Sequence, residues 1–203
     1  MKKSREKKHQ QFLALTKPSK DSKLLDVGVA VREFSPYDNY LEKKYPYTNK
    51  ITALSIHPLD KFSKLYPDVK AVTYEGGRFP FKDKEFSIVY SNAVIEHVGN
   101  FPHQLVFINE MARVGRQFFF TTPAREFPIE IHTNIPFVHL FPKQICDYML
   151  RVLGKEWAAG NYMNLLLKKD LKKLLKATGF KNFRLFVQKI GPFPLHYSVY
   201  GRN

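Results

Sequence analysis

The stretch that decides the fold is Arg78-Phe-Pro-Phe-Lys-Asp-Lys-Glu-Phe-Ser-Ile-Val-Tyr-Ser-Asn-Ala-Val-Ile-Glu-His-Val98. Its first part, Phe79 to Asp83, predicts a turn, because proline and aspartate favour turn conformations. A short apolar strand, Phe86 to Tyr90, follows the turn. A helix-like run, Ala93 to Val98, comes after the strand. A turn, a buried strand and a helical run in this order indicate one step of an α/β sheet.

Apolar runs alternate with helical patterns along the rest of the chain, which is typical of a mostly parallel sheet with helices on both faces. The predicted strands are Lys23–Val27, Ile51–Ile56, Val69–Tyr74, Phe86–Tyr90, Gln117–Thr121, Phe183–Ile190 and His196–Tyr200. The first helix is expected to begin at Pro36 with Ser35 as its cap. Further helices are expected at Leu59–Leu65, Pro102–Val114 and Leu140–Leu153. The fold class is therefore α/β.

The composition is that of a globular protein, with 203 residues of which 44% are hydrophobic. This length suits a single domain, which we place at residues 21–203 with an insertion at about 123–164. Residues 1–20 are expected to form a basic, disordered tail. The lone cysteine, Cys146, suits a reducing compartment. Without a membrane span or a signal-peptide core, the sequence predicts a cytoplasmic protein.

The formal net charge of +15 leaves two interpretations open. Part of it lies in the predicted tail, and part lies among five lysines between residues 168 and 176. Leucines at 167, 171, 174 and 175 follow the spacing of one buried helix face, so these lysines can be the solvated face of an amphipathic helix. Alternatively, they attract the phosphates of RNA or of an anionic lipid.

The Arg78–Val98 stretch resembles the central segment of small class I S-adenosylmethionine (SAM) dependent methyltransferases, namely those with a methyltransferase type 11-like domain. In that family a P-F-x-D-x-x-F-D turn precedes the fourth strand. The segment Asn109–Val114 resembles the family's E-x-x-R-V helix, and Phe118–Pro123 resembles its fifth strand. The resemblance spans roughly Lys23 to Gly179. It implies a Rossmann-like, seven-stranded, mostly parallel sheet, SAM as the cofactor, and a transferase that carries out methylation.

The resemblance also assigns the first strand to the cofactor, because Asp26-Val-Gly28 matches the Asp-x-Gly that opens the family's glycine motif. A turn without side chains lets the backbone approach the cofactor, and Asp26 would anchor its methionine end. The chain then departs from the family pattern. Ala30 stands where the loop passes closest to SAM, and Arg32 adds bulk and charge after it. These departures predict a weakened affinity for SAM.

Four more positions are assigned to the cofactor by the same register. Ser55, with Ile56 beside it, replaces the acid that accepts hydrogen bonds from the ribose hydroxyls. Because charge-assisted bonds are the stronger ones, this replacement predicts a loss of about 1–2 kcal/mol. Glu75 takes the place of the residue that accepts the adenine amino group, and Gly76 allows the ring to approach. Asn92 would line the methionine end.

Candidate acceptor residues are fewer. The family's frequent Glu-His pair occurs as Glu96-His97, and His97 is the candidate catalytic base, because an imidazole can take a proton near neutral pH. Glu130 and His132, two residues apart, could face an acceptor from an extended strand or form a structural hydrogen-bonding pair. No metal site is predicted.

The surroundings of Glu130 resemble methyltransferase-like proteins of bacterial glycan and lipid assembly, which implies a small-molecule, lipid or glycan acceptor. The insertion joins aromatic residues to basic ones, Arg125, Lys143, Arg151 and Lys155. This mixture suits an amphiphilic acceptor and a peripheral position at an anionic membrane. Alternatively, the aromatics only roof the cofactor pocket. A methyltransferase-like subunit with little or no activity, and an RNA-binding or RNA-modifying protein, remain the alternative functions.

Overall fold

The computed structural model describes residues 2–129, 133, 135–160, 163–179 and 182–202. The strands in these ranges are β1 Leu24–Val27, β2 Ile51–Ser55, β3 Lys70–Thr73, β4 Phe86–Asn92, β5 Gly115–Pro123, β6 Phe183–Ile190 and β7 Phe193–Arg202. The helices are α1 Lys2–Thr16, α2 Tyr40–Lys44, α3 Asp60–Leu65, α4 Phe101–Val114, α5 Lys143–Val152 and α6 Lys168–Ala177. None of the helices in the described part of the chain combines the length and the apolar character needed to cross a bilayer.

The described strands form one seven-stranded sheet in the order β3-β2-β1-β4-β5-β7-β6. The first five strands are parallel, whereas β7 runs antiparallel to both β5 and β6. The strand order reverses between β1 and β4, and the carboxyl edge of the sheet at such a point is where open α/β folds bind ligands. The predicted α/β, Rossmann-like sheet is confirmed, and all seven predicted strands are present.

Helices cover both faces of the sheet. On one face, α4 and α6 pack over Phe118 and Phe120 of β5, and the buried leucines of α6 are Leu171, Leu174 and Leu175. On the other face, residues of α1, α2 and α3 pack with Phe119. Alternate phenylalanines of β5 therefore face opposite cores, as the two-residue period of a strand requires.

The turn before β4 is held by a single arginine from α4. All five N–H groups of the Arg113 guanidinium donate hydrogen bonds, two to the Glu110 carboxylate, one to Asp83, and two to the carbonyl oxygens of Phe79 and Phe81. The Glu110 carboxylate also accepts the backbone N–H of Phe79 at 2.7 Å. The turn at residues 79–83 and the Glu110–Arg113 pair of α4, some thirty residues apart in sequence, are therefore bonded to each other in the fold.

The prediction of a disordered tail at residues 1–20 is wrong, because Lys2–Thr16 is helical. Phe12 is fully buried, and its ring meets those of Tyr90 and Phe119 edge-on, with centroids 4.9 and 5.7 Å apart. Helix α1 thus packs on the face of the sheet over β4 and β5, from Gln117 near the start of β5 to Asn92 at the end of β4. Burial of one large aromatic ring is worth about 1.5–3 kcal/mol, which helps to anchor an otherwise polar helix.

Two helix boundaries also differ from expectation. The helix after β1 begins at Tyr40 instead of Pro36, because the Asp38 carboxylate accepts the N–H groups of Phe34 and Ser35 and closes a turn there. The run from Ala93 to Val98 yields only a single 3-10 turn, Ile95–His97. Ala93 has a φ of 57°, a left-handed conformation that breaks the chain direction directly after β4.

The insertion after β5 contains α5, flanked by two 3-10 turns at Val138–Leu140 and Glu156–Ala158. A small apolar core of its own joins Val138, Cys146, Leu150 and Ala158. The expected helix over Leu140–Leu153 is shorter at its start, because Pro142 precedes its first turn. The predicted pair Glu130 and His132 lies outside the described residues.

Candidate functional site

A cavity of about 510 Å³ lies at the carboxyl edge of the sheet, beside the point where the strand order reverses. Its size falls within the range of ordinary small-molecule pockets. The lining comes from the ends of β1 and β2, the loop after β3, the turn after β4 and helix α4: Val27, Gly28, Val29, Leu54, Ser55, Ile56, His57, Tyr74, Gly76, Gly77, Ala93, Val94, His97, Val98, His103, Val106 and Phe107.

Gly28 shapes the floor of this cavity. Its φ is 86°, and a β-carbon placed on it would lie 2.4 Å from Cγ2 of Val94. Only glycine fits such a position without displacing its neighbour. The backbone N–H of Gly28 donates to the carbonyl oxygen of Leu54 at 2.8 Å, which ties the turn to β2. The ends of β1 and β4 therefore approach each other closely, and a ligand meets bare backbone there.

A second, smaller cavity of about 70 Å³ adjoins the first, since Gly28 and Val29 line both. Its other walls are Arg5 from α1, the residues Asp26 and Ala30 around the turn after β1, Asp38, Asn39, Tyr40 and Leu41, and Tyr90 and Asn92 from β4. Together the two cavities form one elongated site that crosses the sheet edge over the Gly28 turn.

The loop after Gly28 is fixed by Asn39. The side-chain amide of Asn39 accepts the N–H of Ala30 at 2.8 Å and donates to the carbonyl oxygen of Ala30 at 2.9 Å. This paired bonding gives the loop a defined path although it lacks further glycines. Arg32, which sequence analysis placed close to the cofactor, lines neither cavity.

Of the residues predicted to contact the ribose and the adenine, some line the larger cavity and one does not. Ser55 is buried at the end of β2, and its Oγ accepts the N–H of His57 at 3.0 Å. Ile56 and Gly76 line the larger cavity as expected, whereas the side chain of Glu75 is not part of its lining and its neighbours Tyr74 and Gly76 form the wall. A contact between Glu75 and the cofactor stays a prediction.

Asp26 lies at the smaller cavity in an environment that disfavours its charge. Burial raises the pKa of the Asp26 carboxyl well above its usual range, and the neighbouring Glu42 raises it further. The buried Glu42 also has a raised pKa, again mainly through burial. Two acids that share a low-dielectric site cannot both ionise freely, so the neutral form of Asp26 is favoured.

A polar cluster lies beside Asn92, where β4, β5 and β7 come together. The Lys8 ammonium of α1 donates to Oδ1 of Asn92 at 3.0 Å, and Thr121 donates to the same oxygen at 2.9 Å. Next to them, Thr122 donates to the fully buried carboxylate of Glu96 at 3.0 Å. These contacts connect α1 to the ends of two parallel strands.

His196 of β7 completes this cluster. It is buried, and its Nε2 has no hydrogen-bond partner among the described residues. Burial, followed by the nearby charges of Lys8 and Arg5, lowers the pKa of His196 to about 3. Burial, together with Arg5, likewise lowers the pKa of Lys8 to about 7. The cluster therefore holds a neutral imidazole and an amine that titrates near physiological pH.

The candidate catalytic base, His97, lies elsewhere. Its side chain is exposed at the wall of the larger cavity, while Glu96 of the same pair turns into the polar cluster. Sequence analysis did not single out Arg5, Lys8 or His196, since their positions depend on tertiary packing. No group of three possible metal ligands occurs in the part of the chain that the structure describes.

Comparison with known families identifies the protein class. A family model described as "Methyltransferase domain" matches residues 2–185. The chain belongs to this methyltransferase family. No curated protein resembles the sequence closely enough to count as a match. The match begins at residue 2, so the family's domain includes α1, the helix that the sequence analysis treated as a tail.

Solved structures share the fold of this methyltransferase. A SAM-dependent methyltransferase from Aquifex aeolicus superposes with a TM-score of 0.57 and 16% identity, covering 95% of this chain and 87% of that one. One from Methanosarcina mazei has a TM-score of 0.54 and 16% identity, with 92% and 94% covered. A Haloferax volcanii protein, solved in complex with the methyltransferase activator Trm112, has a TM-score of 0.60 and 12% identity, with 96% and 88% covered.

The strand order of the methyltransferase fold defines how a ligand would extend through the two cavities. In a sheet of this order, a ligand that crosses the Gly28 turn extends from the β2 and β3 side, at Ser55 and Tyr74, to the β4 side, at Asn92. The larger cavity has the room and the apolar walls for a nucleoside. The smaller one, with its charged and amide groups, suits a short polar extension.

Proposed function

We propose that this methyltransferase uses SAM to methylate an amphiphilic acceptor of lipid or glycan type, and that it does so at an anionic membrane surface from the cytoplasmic side. The elongated site across the Gly28 turn supports the cofactor part of the proposal. The apolar and basic surface of α5 supports the acceptor part.

SAM is the cofactor of this chain, as its family membership indicates, and the residues of the site fit it. The larger cavity accepts the adenosine part, with Tyr74, Val98 and Phe107 as apolar walls and Ser55 at the ribose. Gly28 lets the backbone approach where a side chain would clash with Val94. Bound SAM supplies an activated methyl group, so the chain's main task is to align the acceptor and exclude water.

Helix α5 has apolar residues on two faces. Cys146 and Leu150 are buried in the small core of the insertion. Ile145, Tyr148 and Val152, spaced to share another face, are exposed, the last two at 68% each. Leu153 and Trp157 follow directly and are also exposed. A contiguous exposed apolar surface of this kind usually marks an interaction site.

Basic residues accompany this α5 surface. Arg151 is exposed one turn after Asp147, and Lys155 follows in the loop after the helix. The chain as a whole carries a formal net charge of +15. Tyrosine, tryptophan and aliphatic side chains beside basic groups favour the headgroup region of an anionic bilayer, where each basic residue contributes about 1 kcal/mol.

Calorimetric titration tests the cofactor part. Wild-type protein is titrated with SAM and with its product, S-adenosylhomocysteine. Saturable one-site binding supports the proposal. Absence of binding to either compound would overturn the methyl-transfer function and favour a methyltransferase-like subunit without activity.

Vesicle sedimentation tests the acceptor part. We expect the protein to pellet with vesicles that contain anionic lipid and to stay in solution with neutral ones, at low salt. Exchange of Tyr148 and Val152 for serine should weaken pelleting at least tenfold. The matched control exchanges two exposed residues on α6, Lys172 and Lys176, for glutamine and should lose much less. Equal, negligible pelleting with both vesicle types would leave only a soluble acceptor.

An RNA acceptor is the remaining alternative, and the same preparation can test it. Transfer of a labelled methyl group from SAM is followed in parallel into a total lipid extract and into total RNA. Label in the organic phase supports the proposal. Label in the RNA with none in the lipid would assign the basic α6 face to nucleic acid instead.

A further inference from the structure

The side chain of Arg5 lines the smaller cavity from α1, together with Asp26 at the end of β1. Within the described ranges it makes no hydrogen bond or salt bridge, although Lys8, one turn further along α1, is bonded to Asn92. Guanidinium groups that face an enclosed space usually have a carboxylate or phosphate partner. An arginine that lines a ligand cavity without a hydrogen-bonded carboxylate therefore points to a ligand that supplies an anion.

Among the described residues, no nearby acid forms an ion pair with Arg5. Burial and Glu42 raise the pKa of Asp26 and favour its neutral form, although the charge of Arg5 lowers that pKa. The carboxylate of Asp38 accepts the N–H groups of Phe34 and Ser35. Arg5 also lies close enough to Lys8 and His196 to lower their pKa values, so the three basic side chains are neighbours at this end of the site.

The volume of this cavity limits the anion. A space of about 70 Å³ is several times what one water molecule requires, about 10–15 Å³, and is too small for a nucleotide or a sugar. A carboxylate with a neighbouring amine fits. Gly28 and Val29 line both cavities. A group bound in the smaller cavity can therefore be part of a nucleoside-sized ligand that occupies the larger one.

We propose that Arg5 binds the carboxylate of the cofactor's amino-acid end, so that α1 closes one end of the cofactor site. This inference rests on the proposed function, since it takes SAM as the ligand. It assigns to α1, which sequence analysis treated as a tail, a residue that recognises the cofactor.

The test compares two ligands on one variant. S-Adenosylhomocysteine carries the amino-acid end, whereas 5′-methylthioadenosine keeps the adenine, the ribose and the thioether but lacks that end. We expect Arg5→Gln to lower the affinity for S-adenosylhomocysteine at least tenfold. Its affinity for 5′-methylthioadenosine should stay within twofold of that of wild type. Arg5→Lys keeps the charge but cannot form a bidentate contact with a carboxylate, so its loss of affinity for S-adenosylhomocysteine should be intermediate.

Lys3→Gln is the matched control, because Lys3 is exposed on the same helix and the exchange removes the same charge. It should leave both ligands within twofold of wild type. Equal affinity of wild type and Arg5→Gln for S-adenosylhomocysteine would overturn the role of Arg5 alone. That role is also overturned if Arg5→Gln weakens both ligands equally or if Lys3→Gln has the same effect. Failure of wild type to bind S-adenosylhomocysteine would overturn both the proposed function and this inference.

Discussion

Lys8 of the N-terminal helix donates a hydrogen bond to Oδ1 of Asn92 at the end of β4, with 3.0 Å between the two atoms. Asn92 lines the smaller cavity, and the residue after it, Ala93, lines the larger one. Helix α1 is therefore attached to the strand end that lies between the two cavities. A change in Lys8 should act on the stability of this attachment and on its pH dependence.

The first prediction concerns Lys8 itself. Burial lowers its pKa from 10.5 to about 7, so between these values the unfolded chain binds a proton that the folded chain does not. The free energy of unfolding should then rise with pH above 7. Lys8→Met should remove about 1–2 kcal/mol of this rise between pH 7 and 9, a value reduced from the full linkage because the side chain is partly exposed.

Urea unfolding at pH 7, 8 and 9 checks this. Lys3→Met, on the exposed side of the same helix, is the control and should follow wild type at every pH. A Lys8→Met protein whose unfolding free energy changes with pH as wild type does would contradict the burial of this amine.

His196 gives the second prediction, in the acid range. Burial and the charges of Lys8 and Arg5 lower its pKa from 6.5 to about 3. Below pH 6.5 the unfolded chain takes up a proton at this position and the folded chain does not, so stability is lost as the pH falls. His196→Gln should reduce this loss by about 1–2 kcal/mol between pH 6.5 and 4.5.

Urea unfolding at these two pH values measures the difference. His57→Gln alters an exposed histidine and is the control. If both variants lose stability on acidification as wild type does, His196 is not held neutral in the fold.

Local patterns were sufficient to predict the sheet. The strands β1, β2 and β4 are short and largely apolar, so burial on both faces could be inferred from their composition. Helix α1 was missed because it carries few apolar side chains and many charges. Its main apolar anchor is the fully buried ring of Phe12, with Leu13 and Leu15 partly buried beside it, and so few apolar positions do not define the period of a helix.

The site was predictable where it follows the strand ends. Gly28, Ser55, Ile56 and Gly76 were placed through their register, and they line the larger cavity. Arg5, Lys8 and His196 come from the two ends of the chain. They meet only because α1 crosses the sheet and β7 inserts next to β5, and no spacing in the sequence encodes that meeting.

The third prediction concerns Arg113, which donates three hydrogen bonds to the turn before β4 and two to Glu110, whose carboxylate accepts the N–H of Phe79 in the same turn. Arg113→Lys keeps the charge but cannot reach Glu110 and two carbonyl groups together, so the unfolding free energy should fall by about 2–3 kcal/mol. Asp83→Asn is the control. The Asp83 side chain is 73% exposed, and such a surface ion pair should contribute less than about 1 kcal/mol. Comparable losses in the two variants would show that Arg113 acts only through its surface pair.

The fourth prediction concerns Gly28, whose φ of 86° and proximity to Val94 exclude a side chain. Gly28→Ala should lower the unfolding free energy by about 1–3 kcal/mol through backbone strain and the clash with Val94. The same variant should also bind S-adenosylhomocysteine with a more than tenfold lower affinity. In the double variant with Val94→Ala, we expect part of the stability to return while the affinity stays low. Unchanged affinity in Gly28→Ala would place the cofactor away from this turn.

The last prediction concerns Ser55, the residue at the end of β2 where related enzymes are expected to carry an acid. Its Oγ already accepts the N–H of His57 at 3.0 Å, so one acceptor lone pair is left for the two ribose hydroxyls. Ser55→Asp has a second oxygen and a charge, and a charge-assisted bond should tighten S-adenosylhomocysteine by about fivefold or more. Because 5′-methylthioadenosine keeps the ribose, it should tighten equally, in contrast to the ligand-selective effect at Arg5. Ser55→Ala, measured in the same titrations, serves as the control for loss of the His57 contact and should not tighten either ligand. An aspartate that leaves both affinities unchanged would place the ribose away from the end of β2.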